Sequence, residues 1–163
     1  MNPIFKKTDK LTLLVTTFGG SGMSPKAPGT AGSLVAAVLA YPIAMVSFRG
    51  CFALLALFVF FIGIPFVAKV LKDTGSDDPG WVVIDEVSGQ WFAFAFIAPA
   101  SLITYPWLIL LGFGLFRFFD ILKPLGIHQL EKLPGAWGVM ADDLLGGAYV
   151  ALILLGICKL FNL

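Results

Sequence analysis

The sequence predicts an all-α integral membrane protein, a helical bundle of about five membrane helices that includes a short hairpin. Hydrophobic residues make up 58% of the chain and charged residues only 13%, with a mean hydropathy of +0.92. A soluble domain does not reach this balance. In addition, four stretches contain no charged side chain, and a membrane helix needs about 20 apolar residues. These stretches are residues 31–48, 50–68, 92–116 and 144–157.

The apolar stretches predict a single membrane domain over residues 1–163. Residues 1–29 form a cytoplasmic lead-in and a Gly/Pro loop, and residues 30–161 form the bundle. The first apolar stretch follows thirty residues that contain Lys, Pro and Gly, and a second stretch follows it at once. We therefore do not expect a cleavable signal peptide.

The first two predicted helices each contain a proline, and a tight turn separates them. We expect the first helix from about Thr30 to Ser47 with a kink at Pro42. The second runs from about Cys51 to Val70, and Pro65 predicts a second kink.

Residues 92–116 are long enough to cross once, but Pro99 and Pro106 near their middle are typical of a turn. A single crossing divides the Lys and Arg residues seven to four between the two faces. A hairpin with arms at about 83–98 and 106–121 divides them nine to two. Because cytoplasmic loops are enriched in Lys and Arg, we prefer the hairpin, with the basic face in the cytoplasm.

This topology places five acidic residues on the cytoplasmic face, at the ends of three helices. They are Asp85 and Glu86, which open the third helix, Asp120, which closes the fourth, and Asp142 and Asp143, which open the fifth. Carboxylates that lie together beside hydrocarbon repel one another, so they bind a cation or keep protons. Hard oxygen ligands favour Mg²⁺, Mn²⁺ or Ca²⁺ over Zn²⁺, and we take Mg²⁺ as the first choice, with Mn²⁺ as the alternative. We predict a metal site formed by these five residues.

Helix capping is the competing explanation for the two acidic pairs, since negative charge is favourable in a first turn. Asp120 is not explained in this way, because the helix dipole disfavours an anion at a C-terminus.

Groups suited to an anion accompany the acids. Residues 28–33 provide a Gly-containing helix start, where Thr30 and Ser33 add hydroxyls to free backbone amides. Arg117 and Lys123 are the cations best placed to hold phosphate oxygens. We predict that these four side chains bind a phosphorylated substrate.

Four segments together resemble the phosphatidylglycerophosphatase A family. They are SGMSPKAPGTAGS at 21–33, IDEVSGQW at 84–91, FRFFDILKP at 116–124 and GVMADDLLGG at 138–147. The resemblance implies a bacterial inner-membrane, magnesium-dependent lipid phosphatase whose active site faces the cytoplasm. Such an enzyme converts phosphatidylglycerophosphate to phosphatidylglycerol, on the way to cardiolipin.

The residue types favour metal-assisted hydrolysis. No Cys has an Arg six positions later, no Asp has another Asp two positions later, and the chain has one His. The usual phosphoenzyme nucleophiles are therefore missing. In our hypothesis the five acids bind one or two magnesium ions. Asp85, Glu86, Asp120 and Asp143 act in catalysis, and an unligated Glu86 or Asp143 accepts the proton of the attacking water.

Two other functions remain open at this stage. A CDP-alcohol phosphatidyltransferase also uses acids and magnesium, but its signature begins with an Asp-Gly dipeptide, which this chain lacks. A small magnesium or proton transporter would need polar groups across the bilayer, whereas these acids share one face. The net charge of +1 and the scattered cations argue against nucleic acid as a partner. A homo-oligomer is left open.

Overall fold

In the computed structural model, residues 8–163 are described, and they form helices without any strand. The helices are α1 Lys10–Thr16, α2 Pro28–Val46, α3 Cys51–Thr74, α4 Ile84–Phe92, α5 Pro99–Thr104, α6 Trp107–Leu122, α7 Ile127–Leu130 and α8 Ala136–Phe161. The start of the predicted lead-in, with Lys6 and Lys7, lies outside the described residues.

Among residues 8–163, three helices are long and apolar enough to cross a bilayer: α2, α3 and α8. Pro28 occupies the first turn of α2, where its missing N–H costs nothing, and Gly50 precedes α3 with a φ of +88°. The predicted boundaries of the first two helices are therefore close to the observed ones, although α3 continues to Thr74. The predicted all-α membrane bundle is confirmed, while the number of crossings stays a prediction.

The first arm of the predicted hairpin is shorter than expected. The second arm matches α6, but α4 ends at Phe92, and residues 93–97 form turns. Nine helical residues rise only about 14 Å, which is less than half of the hydrocarbon thickness. The helix stops because Phe94 and Ile97, 0% and 2% exposed, turn back into the core before Pro99 starts α5. The expected arm of residues 83–98 is thus wrong in its second half.

The last helix begins earlier than predicted. Asp142 and Asp143 were expected to open it, but α8 starts at Ala136 and carries both residues about two turns after its start. The intervening segment has small and apolar residues and no helix breaker after Gly138, so it continues the helix toward the loop. Capping of a first turn therefore does not explain this acidic pair.

The short helix α4 is the centre of the bundle. Seven of its nine residues are buried, and it packs against α2, α3 and α8. Two side chains fix its rotation: the Trp91 indole donates to the Ala36 carbonyl at 3.0 Å, and the Ser88 hydroxyl donates to the Ala56 carbonyl at 3.0 Å. These bonds join α4 to α2 and α3.

Glycine brings α4 and α8 into backbone contact. A Cβ on Gly147 would collide with the carbonyl of Gly89, and a Cβ on Gly89 would collide with the carbonyl oxygen of Asp143. Small residues allow such close approach between membrane helices. The contact places the start of α4, with its two acids, beside the acidic turn of α8.

Candidate active site

A cavity of about 440 Å³ opens where α4, α6 and α8 meet two loops. All five acids predicted from the sequence line it, together with Lys123. Asp120 thus faces the same space as the other four, as the predicted site requires.

Three carboxylates in the cavity form a compact group. Asp85, Glu86 and Asp143 each place one oxygen within 4.8 Å of the others. Asp85 and Asp143 are only 7% and 4% exposed, and Oε2 of Glu86 is buried without a hydrogen-bond partner among the described residues. Three carboxylates that converge in this way, one of them with an unpaired oxygen, suit a hard divalent cation such as Mg²⁺ or Mn²⁺. The residues therefore fit the predicted metal, and we call them the carboxylate triad.

Asp120 joins the triad to an arginine. Its carboxyl lies close enough to that of Asp143 for the two to interact directly, and it forms an ion pair with Arg117 one turn earlier on α6. Arg117 Nη1 also lies 3.4 Å from the Ser33 hydroxyl, which in turn donates to the Gly29 carbonyl at 2.8 Å. The guanidinium is thus held between α2 and α6.

Asp142 forms an ion pair with the side-chain ammonium of Lys123. Lys123 Nζ donates to Asp142 Oδ2 at 2.7 Å and lies 3.2 Å from Glu131 Oε1. Burial acts to lower the pKa of the Lys123 ammonium, but these hydrogen bonds outweigh burial and raise its pKa above the ordinary value. The backbone of Lys123 is left-handed, with φ +44°, and it ends α6. The ammonium is therefore fixed, fully charged, at the side of the cavity.

The predicted phosphate-binding groups are separated in the structure. Lys123 lines the cavity, whereas Thr30, Ser33 and Arg117 do not belong to its lining. Ser33 is fully buried and supports Arg117, and within residues 8–163 no ion pair or side-chain hydrogen bond joins Thr30 to the acids. Their roles toward substrate stay predictions.

Several residues of the site were not among the sequence-based candidates. Asp77, Asp78 and Glu131 line the outer part of the cavity. Gly29 lies so close to the Glu86 carboxylate that a Cβ there would collide with it. Asp77 and Asp78 could have been recognised in the sequence as a further acidic pair, shortly before α4. Glu131 could not, because only the folded chain brings it to the same cavity.

Replacing Lys123 by Met should destabilise the protein by about 1–3 kcal/mol, because the Asp142 carboxylate, 4% exposed, loses its cation. Thermal unfolding in detergent measures this effect. The double variant Lys123→Met/Asp142→Asn should recover most of the loss, and Lys132→Met, an exposed change in the same α6–α8 connection but beyond α7, should have little effect. Equal stability of single and double variants would contradict the pairing.

Comparison with known proteins identifies the family of this chain. Residues 14–158 match the sequence pattern described as phosphatidylglycerophosphatase A. The chain belongs to the phosphatidylglycerophosphatase A family. The resemblance inferred from four short segments is therefore confirmed over nearly the whole chain. The family consists of phosphoric monoester hydrolases, so the predicted class of enzyme is confirmed as well.

Three relatives show how the family members are named. Phosphatidylglycerophosphatase A of Haemophilus influenzae is 37% identical over 96% of this chain and 94% of its own. Phosphatidylglycerophosphatase A of Escherichia coli is 34% identical over 91% of this chain and 84% of its own. A Bacteroides thetaiotaomicron protein with the provisional name phosphatidylinositol-3-phosphatase is 37% identical over 94% and 97%. No solved structure matches the chain.

Proposed function

We propose that this protein is a magnesium-dependent phosphatidylglycerophosphatase of the bacterial inner membrane, with its cavity facing the cytoplasm. It would hydrolyse the phosphomonoester of phosphatidylglycerophosphate to phosphatidylglycerol and phosphate, on the way to cardiolipin. The observation that carries the proposal is the carboxylate triad, which converges at one end of an apolar bundle in a member of this family.

Asp85, Glu86 and Asp143 would hold the metal ion. Bound there, Mg²⁺ would supply positive charge for the phosphate oxygens and make a water molecule more acidic. The triad suits this role because its carboxylates are largely buried and Asp120 adds a further acidic group beside Asp143. Manganese has the same ligand preferences and is the alternative ion.

The cations around the cavity would orient the phosphate. Lys123 reaches the cavity directly and would meet a phosphate oxygen. Arg117, held by Asp120 and Ser33, would stabilise the charge that develops on the phosphoryl group. Asp142, neutralised by Lys123, would keep that ammonium in position rather than serve as the main metal ligand.

In the chemical step, a water oxygen forms a bond to phosphorus while the bond between phosphorus and the lipid glycerol oxygen breaks. A carboxylate oxygen of Glu86 or Asp143 that does not contact the ion would accept the proton of the water. The departing glycerol oxygen takes up a proton and remains on the lipid as a hydroxyl group. Inorganic phosphate leaves through the cavity.

A second substrate is suggested by the Bacteroides relative, whose name specifies phosphatidylinositol 3-phosphate. This lipid also carries a phosphomonoester beside a hydroxylated headgroup, so the same triad could act on it. We favour phosphatidylglycerophosphate as the substrate, because two of these three relatives are named for it.

The decisive experiment measures phosphate release by the detergent-purified protein from phosphatidylglycerophosphate and from phosphatidylinositol 3-phosphate. We expect release from the first lipid to be faster by at least about tenfold, to stop with EDTA and to return with Mg²⁺. Faster release from the second lipid would reassign the substrate. Release that persists in EDTA would refute metal dependence, and no release from either lipid would refute the proposed reaction.

A further inference from the structure

Gln90, near the end of α4, is buried in a way that its local contacts do not explain. The residue is 0% exposed, and neither its amide nitrogen nor its amide oxygen has a hydrogen-bond partner among the described residues. An unpaired buried amide costs about 1–3 kcal/mol, so an apolar residue of similar size would be more stable here. Packing alone therefore does not explain why a Gln occupies this position.

Gln90 lies on the same face of α4 as Glu86, a member of the carboxylate triad. It lies four residues after Glu86 in α4, so the two side chains are neighbours on one face of the helix. That face points toward α2 and α6, because the Glu86 carboxylate lies against Gly29 and close to Arg117. Gln90 is thus the next polar group behind Glu86, one turn further from the cavity.

Glu86 has a complementary unpaired atom. Its Oε2 is buried without a hydrogen-bond partner among residues 8–163, while its other oxygen approaches Gly29. A carboxamide N–H is a suitable donor for that oxygen, and Gln with an acidic residue at a spacing of four forms such bonds on helices. At this spacing on a helix, the carboxamide of Gln90 is within reach of the Glu86 carboxylate in a suitable rotamer.

We propose that Gln90 is a positioning residue for Glu86. This inference rests on the proposed function of the triad. With its side chain turned toward Glu86, the carboxamide of Gln90 would donate to Oε2 of Glu86 and hold that carboxylate in its orientation toward Asp85 and Asp143. Partners behind a metal ligand typically affect metal affinity or activity by about 10- to 100-fold. The energetic cost of the buried amide is retained because it orients the site.

Gln90→Met tests this role, since Met has nearly the same shape and no polar amide. Mn²⁺ binding to the detergent-purified protein, followed by electron paramagnetic resonance, reports the site without any substrate. We expect the dissociation constant for Mn²⁺ to rise about tenfold, kcat at saturating Mg²⁺ to fall about tenfold, and the melting temperature without metal to stay equal or rise.

Ser88→Ala is the matched control on the same helix. Ser88 is also fully buried, but its hydroxyl is bonded to Ala56 on α3, away from Glu86. We expect this change to lower the melting temperature and to leave the Mn²⁺ affinity unchanged.

Unchanged Mn²⁺ affinity and kcat in Gln90→Met would overturn the positioning role. A lower melting temperature with unchanged Mn²⁺ affinity would overturn it too, because Gln90 would then be a packing residue. If the wild-type protein releases no phosphate from either lipid, the proposed function fails, and the Mn²⁺ titration of the same proteins still decides the role of Gln90.

Discussion

Asp143→Asn should reduce phosphate release by about a thousandfold and abolish tight Mn²⁺ binding. Asp143 supplies one oxygen of the carboxylate triad, and it lies beside Asp120, the side chain that holds Arg117. An amide offers only a neutral oxygen and cannot replace a carboxylate ligand for a hard cation. The measurements are single-turnover phosphate release and Mn²⁺ binding.

The folded state should survive this change. Removing a negative charge from a group of acids relieves repulsion in the metal-free protein, so its melting temperature should stay equal or rise. Asp73→Asn, a charge change near the end of α3 and outside the cavity, is the control and should preserve turnover. Full activity of Asp143→Asn would exclude the triad from the reaction, and a loss of activity with a collapsed melting temperature would assign Asp143 a structural role.

Gly147→Ala should lower activity about 100-fold and destabilise the bundle by about 1–3 kcal/mol. The new Cβ would collide with the carbonyl group of Gly89, which is backbone and cannot rotate away. The helices α4 and α8 must then separate, and a shift of about 1 Å in a catalytic group is enough for a loss of this size. Thermal unfolding and phosphate release measure the two effects.

Two other glycines provide matched controls. A Cβ added to Gly114 in α6 or to Gly156 in α8 would meet no neighbouring atom within 4 Å. Gly114→Ala and Gly156→Ala should therefore leave activity unchanged, and the stability should stay equal or increase because Ala favours helix. If Gly147→Ala behaves like these controls, the contact between α4 and α8 does not set the geometry of the site.

Local patterns in the sequence were sufficient to predict where α2 and α3 begin, because Pro28 and Gly50 fix backbone conformations within one turn. They were not sufficient for α4. Its early end depends on Phe94 and Ile97, which turn into a core made by distant helices. The start of α8 was missed because the apolar stretch was counted from Leu144, whereas the cavity allows charged residues inside the helix.

The positive-inside rule assigns each helix end to one side of the membrane, and it was enough to predict that the acids lie together. The side chains that pair with each acid could not be predicted in this way. The bond between Lys123 and Asp142 spans a loop, and the support of Arg117 by Ser33 joins residues that are 84 positions apart. Such pairs depend on the rotation of each helix about its axis. In this bundle, glycine contacts and two buried hydrogen bonds set that rotation.

The central position of α4 separates the proposed chemistry from the surrounding bilayer. Asp85 and Glu86 lie on this helix, which packs against α2, α3 and α8. Most of the exposed apolar side chains of those three helices belong to the outer surfaces of α2 and α3. Changes in acyl-chain length or membrane thickness act first on those outer surfaces, through tilt. We therefore expect the two carboxylates of α4 to respond less to lipid composition than the outer surfaces of α2 and α3 do.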